Sequence, residues 1–244
     1  MGKQDIIIKV KEIIDGGFDV TEISYVPEIK DPALTFGNKG LSFNAVVLYI
    51  DMRGSTSLLN THNKKTVAKM HMTYFHTIIK VIKPYGGEIR SFNGDSVLLF
   101  FYGSTRDIIA KAVSCAMKIK YMLSTEDGIA GYLKKYSSID FGIGIDYGDI
   151  VCTKIGEHRN SNNQDIIWIG NPVNRATVIS DKCHHPEHLG ISFNTHEMLS
   201  DNLKYKKKLG TYVEPRESIW SPLIFKYNNE NHLLYRTNYY IVVD

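Results

Sequence analysis

The sequence has no long apolar segment, no paired cysteines and no strong excess of one charge. No stretch approaches the roughly 20 consecutive apolar residues that span a bilayer. The start, MGKQDIIIKVKEIID, mixes charged and apolar residues in a way that no secretory leader does. The three cysteines lie far apart and form no CxxC motif, which is typical of reduced thiols. We therefore expect a cytoplasmic protein without a membrane partner.

The charge balance argues against nucleic acid as a partner. The chain carries 29 basic and 26 acidic residues, a net charge of +3. Proteins that bind nucleic acid are usually more basic, with their cations on one face. The length of 244 residues and the hydrophobic content of 43% allow the core of one substantial catalytic domain or two small ones.

Hydrophobic periodicity predicts an α+β fold. Period-two and unbroken apolar runs predict strands, and apolar residues at steps of three and four predict helices. From residue 45 the order is strand, helix, strand, strand, helix, strand, which is the ferredoxin-like split βαββαβ arrangement. We expect residues 1–40 to form an N-terminal helix and extended arm, and residues 41–244 to form the catalytic domain with added C-terminal strands. The predicted helices are 4–14, 67–82, 109–121 and one beginning near 172; the predicted strands are 45–50, 88–92, 96–102, 139–145, 150–153, 166–169, 205–213 and 233–243.

Two carboxylates follow predicted strands. Asp51 ends the apolar run AVVLYI, and Asp95 follows the hairpin glycine Gly94. In a ferredoxin-like sheet these two positions meet, and adjacent carboxylates repel unless cations bridge them. Hard oxygen ligands suit Mg²⁺ or Mn²⁺. The alternative is that Asp51 caps the following helix and Asp95 belongs to a surface turn.

The turn after Asp51 is a candidate phosphate site. Gly54, Ser55 and Thr56 follow the strand and open a helix. Free backbone N–H groups at the start of a helix hold phosphate oxygens well.

Three segments resemble, in order, the signatures of class III nucleotide cyclases. They are VVLYIDMRGST (46–56), IRSFNGDSVLLFF (89–101) and WIGNPVNRAT (168–177), within a resemblance that spans roughly residues 41–200. The resemblance implies an enzyme that converts a nucleoside triphosphate to a 3′,5′-cyclic monophosphate on two divalent ions, Mn²⁺ or Mg²⁺. It also implies a head-to-tail homodimer in which each site draws residues from both chains.

The same resemblance assigns roles to individual residues. Asp51, Asp95 and the backbone carbonyl of Met52 correspond to the metal ligands. Asn174 corresponds to the asparagine that orients the ribose of the nucleotide held by the partner's aspartates. The family's transition-state arginine is replaced by Val178. Arg175, one turn earlier on the same helix, is the first candidate to replace it.

The residues that read purine bases in this family are missing. Ser91 and Ile167 stand at the two base-reading positions, and Asp165 lies two residues from the second, so that only a bulge would restore it. Tyr49 replaces the usual phenylalanine before the first aspartate. Its hydroxyl either contacts the base or is satisfied within the core.

This combination is similar to the pyrimidine cyclases of bacterial Pycsar anti-phage systems. The resemblance implies synthesis of cyclic UMP from UTP, and a separate effector that the cyclic nucleotide activates. The alternatives are a cytidylate cyclase, a purine cyclase and a cyclase-like nucleotide-binding module without turnover. Elsewhere, the histidines of DKCHHPEH (181–188) match no standard zinc spacing, and we expect them in a solvent-exposed loop.

Overall fold

The structure, a computed structural model, describes residues 2–157, 160–206 and 216–243. The α-helices in this part of the chain are α1 (Lys3–Asp15), α2 (Ser55–Thr61), α3 (Lys64–Ile82), α4 (Arg106–Ser124), α5 (Ile129–Leu133), α6 (Asn171–Asp181), α7 (Phe193–Met198) and α8 (Asp201–Lys204). The strands in it are β1 (Asp19–Glu22), β2 (Lys39–Arg53), β3 (Glu88–Asn93), β4 (Ser96–Tyr102), β5 (Asp140–Gly156), β6 (Gln164–Ile169), β7 (Leu189–Ser192), β8 (Ser221–Tyr227) and β9 (Glu230–Thr237).

One mixed sheet organises the described residues. Its strand order is β3-β4-β2-β5-β7-β9-β8, with β1 paired to β2 and β6 paired to β5. The four strands β3, β4, β2 and β5 and the helices α3 and α4 form the split βαββαβ unit that the periodicity predicts. The α+β, ferredoxin-like prediction is therefore confirmed.

The central strand β2 is buried on both faces because its apolar residues run without a break. Val46, Leu48 and Ile50 join the large core beneath α3 and α4. Val47 joins the core on the opposite face, where α6 lies. Asp51 follows the same alternation and so lies on the α6 face.

The N-terminal arm packs against the α6 face of the sheet. Strand β1 pairs with the start of β2 in parallel, and Val26 and Leu34 are buried beside it. The Arg90 side chain donates hydrogen bonds to the carbonyls of Val26 and Pro27, both 2.8 Å long. Helix α1, in contrast, buries none of its residues.

The strands at the C-terminal end differ in detail from the prediction. The predicted strands 139–145 and 150–153 form one continuous strand, β5. Strand β8 was not predicted, and β9 ends at Thr237, before the predicted limit of 243. Most of the predicted strand 205–213 lies outside the described residues; Tyr205 forms an isolated bridge with Ser218.

The expectation of a solvent-exposed histidine loop is wrong for His188. Its ring is stacked on Phe141 at 4.2 Å between centroids and is only 4% exposed. Its Nε2 lies 3.1 Å from Asp140 Oδ1. Phe141 and Asp140 are the partners of this buried ring, and spacing along the chain does not reveal either of them.

Two expectations about the whole chain can be compared with the structure. Cys115, Cys152 and Cys183 are buried and unpaired, as expected of reduced thiols. Among the helices of the described ranges, none combines the length and the apolar character that crossing a membrane requires.

Candidate active site

The two predicted aspartates lie side by side at one end of the sheet. Asp51 is near the end of β2, where it pairs with Ser96 of β4. Asp95 directly precedes Ser96 in the tight turn between β3 and β4. Gly94 makes this turn possible, since its φ of 61° is unfavourable for other residues.

The electrostatics of Asp51 show that the two acids repel each other. Partial burial raises the pKa of the Asp51 carboxyl, and the negative charge of Asp95 raises it further. Arg53 opposes both effects, with Nη1 2.8 Å from Asp51 Oδ2. The site therefore presents two carboxylates whose repulsion a cation would relieve.

The donor set fits divalent metal ions but does not complete their coordination. Carboxylate oxygens at the open edge of a sheet suit Mg²⁺ and Mn²⁺, which also use water and substrate phosphates. Within the part of the chain that the structure describes, no group of three or more His, Cys, Asp or Glu is arranged to hold a metal. The Met52 side chain is buried in the core, so that residue could contribute to the site only through its backbone.

Arg53 joins the end of β2 to the end of α6. Its Nη2 donates to the carbonyl of Ser180, and its Nη1 lies 3.7 Å from Asp181 Oδ1. The ion pair with Asp51 shows that this arginine sits at the carboxylate pair itself.

The predicted phosphate turn follows immediately. Gly54 is the N-cap of α2, with a φ of 67°. Asp51 is therefore not the helix cap, and that alternative is wrong. Ser55 and Thr56 occupy the first turn of α2, beside the carboxylates.

The structure brings together only two of the three positions predicted to contact the base, Tyr49 and Ser91. Tyr49 and Ser91 both pair with Leu98, from opposite sides of β4. Tyr49 also lies two residues before Asp51, which places it on the same face of β2. These two positions can line one pocket next to the carboxylates.

Ile167 is remote from that pocket within one chain. It pairs with Thr153, whereas Tyr49 pairs with Gly144. The intervening part of β5 is about 30 Å long at 3.3 Å per residue. The pairing of β5 with β6 is regular, so no bulge moves Asp165 to the reading position.

Helix α6 lies directly across β5 because glycines there leave space for its backbone. A Cβ at Gly142 would collide with the carbonyl of Ser180, and one at Gly148 would touch Pro172. The C-terminal end of α6 therefore lies beside Asp51, which pairs with Gly142. Its N-terminal end lies farther along β5.

Asn174 consequently does not meet the carboxylates of its own chain. It lies about 9 Å along the helix axis from Ser180, at 1.5 Å per residue. A ribose held at Asp51 would need an asparagine from elsewhere.

Arg175 is held by an acid that the sequence analysis missed. Its Nε lies 2.8 Å from Oδ2 of Asp146, whose side chain is fully buried. Ser192 donates a 2.6 Å hydrogen bond to Asp146 Oδ1. Burial raises the pKa of Asp146, and the Ser192 bond and Arg175 oppose this shift. A lone acid inside the apolar stretch FGIGID (141–146) was the available signal, because a buried acid needs a partner.

Comparisons with known proteins identify the family and the fold of the chain. Residues 41–220 match the family "Adenylate and Guanylate cyclase catalytic domain". The chain is 26% identical to a uridylate cyclase of Xanthomonas perforans, with 97% of this chain and 96% of the relative covered. It is 29% identical to a uridylate cyclase of Burkholderia cepacia, with 80% and 83% covered. The crystal structure of the guanylyl cyclase Cya2 superimposes with a TM-score of 0.64 at 22% identity, covering 80% of this chain and 92% of that one.

Proposed function

The chain belongs to the adenylate and guanylate cyclase family, and we propose that within it the protein converts UTP to cyclic UMP and pyrophosphate. The observation that carries the proposal is the pair Asp51 and Asp95, which β2 and the β3–β4 turn place side by side. Similarity over almost the full length to proteins named uridylate cyclases supports the choice of base. Cytidylate cyclase activity is the second candidate.

Asp51, Asp95 and the Met52 carbonyl are proposed to hold two divalent ions, Mn²⁺ or Mg²⁺. When bound, such ions lower the pKa of an attacking hydroxyl and neutralise charge on the triphosphate. The backbone N–H groups at Gly54, Ser55 and Thr56 are proposed to hold phosphate oxygens. Burial and the negative charge of Asp95 both raise the pKa of Asp51, and a bound cation would offset both effects.

We propose that two chains build each site. Asn174 lies about 9 Å along α6 from Ser180, the residue of that helix beside the Asp51–Gly142 pair, and Ile167 lies about 30 Å along β5 from the position that pairs with Tyr49. A head-to-tail partner would bring both residues to the nucleotide. Ile167 is 42% exposed, which suits contact with a second copy. Tyr49 and Ser91 of one chain and Ile167 of the other would then surround the base.

Arg175 remains our first candidate for the transition-state cation, with Arg53 as the second. The contact with Asp146 uses Nε of Arg175. The terminal nitrogens of a guanidinium are the atoms that donate paired hydrogen bonds to phosphate oxygens. Arg53 is already beside Asp51, so it supplies positive charge within the site of its own chain.

The wider role that we propose is that of a cytoplasmic Pycsar synthase. Its cyclic nucleotide would activate a separate effector during phage infection. Residues 41–244 would form the catalytic domain and residues 1–40 an arm packed against it.

Pyrophosphate release distinguishes this enzyme from a nucleotide-binding module. We expect purified protein to release pyrophosphate from UTP with Mn²⁺, and not with excess chelator. Mn²⁺-dependent binding of UTP without any pyrophosphate would instead favour the binding module, for which the replacement of the family arginine by Val178 is the supporting observation.

A further inference from the structure

A pocket that the cyclase mechanism does not use lies between the C-terminal halves of α3 and α4. Its volume is about 340 Å³, which is within the range of sites that bind small molecules. The 3₁₀ turn after α3 (Lys83–Tyr85) and Val243 complete its lining. The pocket is therefore built from three separate parts of the chain.

This pocket lies away from the two aspartates. Gly87, which follows the 3₁₀ turn, packs so closely on Phe101 of β4 that a Cβ would come within 2.9 Å of its ring. Asp95 directly precedes Ser96, at the other end of β4. The five residues from Ser96 to Phe101 extend over about 17 Å. A ligand in the pocket would not share the site proposed for the nucleotide.

Much of the pocket wall is apolar. Its aliphatic side chains are Val81, Pro84, Met122 and Val243. Thr77 also lines it, but the Thr77 hydroxyl donates a 2.8 Å hydrogen bond to the carbonyl of Thr73 within α3. The wall therefore suits the aliphatic part of a ligand, which would lose contact with water on binding.

The charged groups of the pocket are all basic. Lys80 of α3 and Lys118 of α4 line it together with His76. Lys118 Nζ lies 5.7 Å from the centroid of the Tyr85 ring, which also lines the pocket. No acidic side chain is among the lining residues that the structure describes. An anionic group on the ligand would complement the two lysines.

We propose that this pocket binds a small carboxylate with an aliphatic body, such as a fatty acid of medium chain length. The aliphatic body would contact Val81, Pro84 and Met122, and the carboxylate would pair with Lys80 and Lys118. A single negative charge suits a largely apolar pocket better than a doubly charged phosphate, because removing each charge from water costs free energy. The proposal is independent of the function proposed for Asp51 and Asp95.

Isothermal titration calorimetry of the full-length protein with sodium octanoate tests the proposal. Sodium acetate, which has the same charge but no aliphatic body, is the second probe. The variant is Lys80→Met with Lys118→Met, which removes two charges and keeps unbranched side chains. The matched control is Lys65→Met with Lys135→Met, which changes the net charge equally at two exposed lysines outside the pocket.

We expect the wild type to bind one octanoate per chain in a saturable manner, and acetate without measurable heat. The pocket variant should bind octanoate at least ~5-fold more weakly, since two partly exposed ion pairs are lost. The control should bind it like the wild type. The absence of saturable octanoate binding would overturn the proposal. Equal affinities of wild type and pocket variant, or equal weakening in the pocket variant and the control, would overturn it too.

Discussion

Arg175 and Asp146 form an ion pair that holds α6 against β5. Arg175 Nε lies 2.8 Å from Asp146 Oδ2, and the Asp146 side chain is fully buried. The pair is adjacent to Asn174, the residue proposed to orient the ribose. Holding Arg175 in this way also fixes the helix turn that carries Asn174. The pair thus links the stability of the chain to the position of Asn174.

Asp146→Ala should lower the free energy of unfolding by about 2–4 kcal/mol, because breaking a buried pair leaves one charge without its partner. Urea unfolding of the metal-free protein measures the loss. Asp127→Ala, in the exposed segment before α5, is the control and should change little. An Asp146→Ala protein as stable as this control would show that the pair does not hold α6 in place.

Asp51→Asn and Asp95→Asn should each abolish turnover while the circular dichroism spectrum stays unchanged. Because the pKa of Asp51 is raised, its ionised form is disfavoured in the folded protein. Neutralising it should therefore not destabilise the metal-free fold. Asp127→Asn serves as the matched control with normal turnover. Near-normal rates in either active-site variant would disprove the two-metal assignment.

We expect the free energy of unfolding to decrease in acid because of the burial of His188. Burial lowers the pKa of His188 to about 4, whereas an unfolded histidine takes up its proton near pH 6.5. Between these two pH values the unfolded state binds a proton that the folded state does not bind. The free energy of unfolding therefore decreases as the pH falls from about 6.5 to about 4. Urea unfolding at pH 7 and pH 5 should show a smaller loss for His188→Gln than for wild type. An equal loss in both proteins would assign the acid sensitivity to other groups.

Mixing two inactive variants should restore activity if chains share sites. Asp51→Asn supplies Asn174, and Asn174→Ala supplies the aspartates. Random pairing makes half of the dimers mixed, each with one intact site, so about a quarter of wild-type activity is expected. Subunit exchange after gentle dilution and reconcentration allows the measurement. Activity no higher than that of the separate variants would mean that each site lies within one chain.

The sequence was sufficient for those parts of the fold that depend on local periodicity. The split βαββαβ order follows from apolar patterns such as AVVLYI and from the helix pattern of Val67 to Ile82. The meeting of Asp51 with Asp95 also follows, because the order of strands in this fold brings their ends together. Strand β8 was missed since its residues alternate in exposure along an outer hairpin, where the apolar pattern is weak.

Features that depend on contacts between distant segments could not be predicted. Asp146 and Arg175 lie in different elements, and only the packing of α6 on the glycines of β5 brings them together. His188 is buried because Phe141 and Asp140 lie beside it on β5. Tyr74 fits the helical pattern as an ordinary core residue, and only the structure shows that its hydroxyl lacks a partner.

The most direct measurement is the product spectrum of the purified protein incubated with Mn²⁺ and equal amounts of UTP, CTP, ATP and GTP, resolved by mass spectrometry. We predict cyclic UMP as the main product, absent when Asp95→Asn replaces the wild type. Cyclic CMP as the main product would support a pyrimidine-specific site but would make CTP, not UTP, the substrate. Cyclic AMP or cyclic GMP as the main product, or no cyclic nucleotide at all, would contradict the proposed uridylate cyclase.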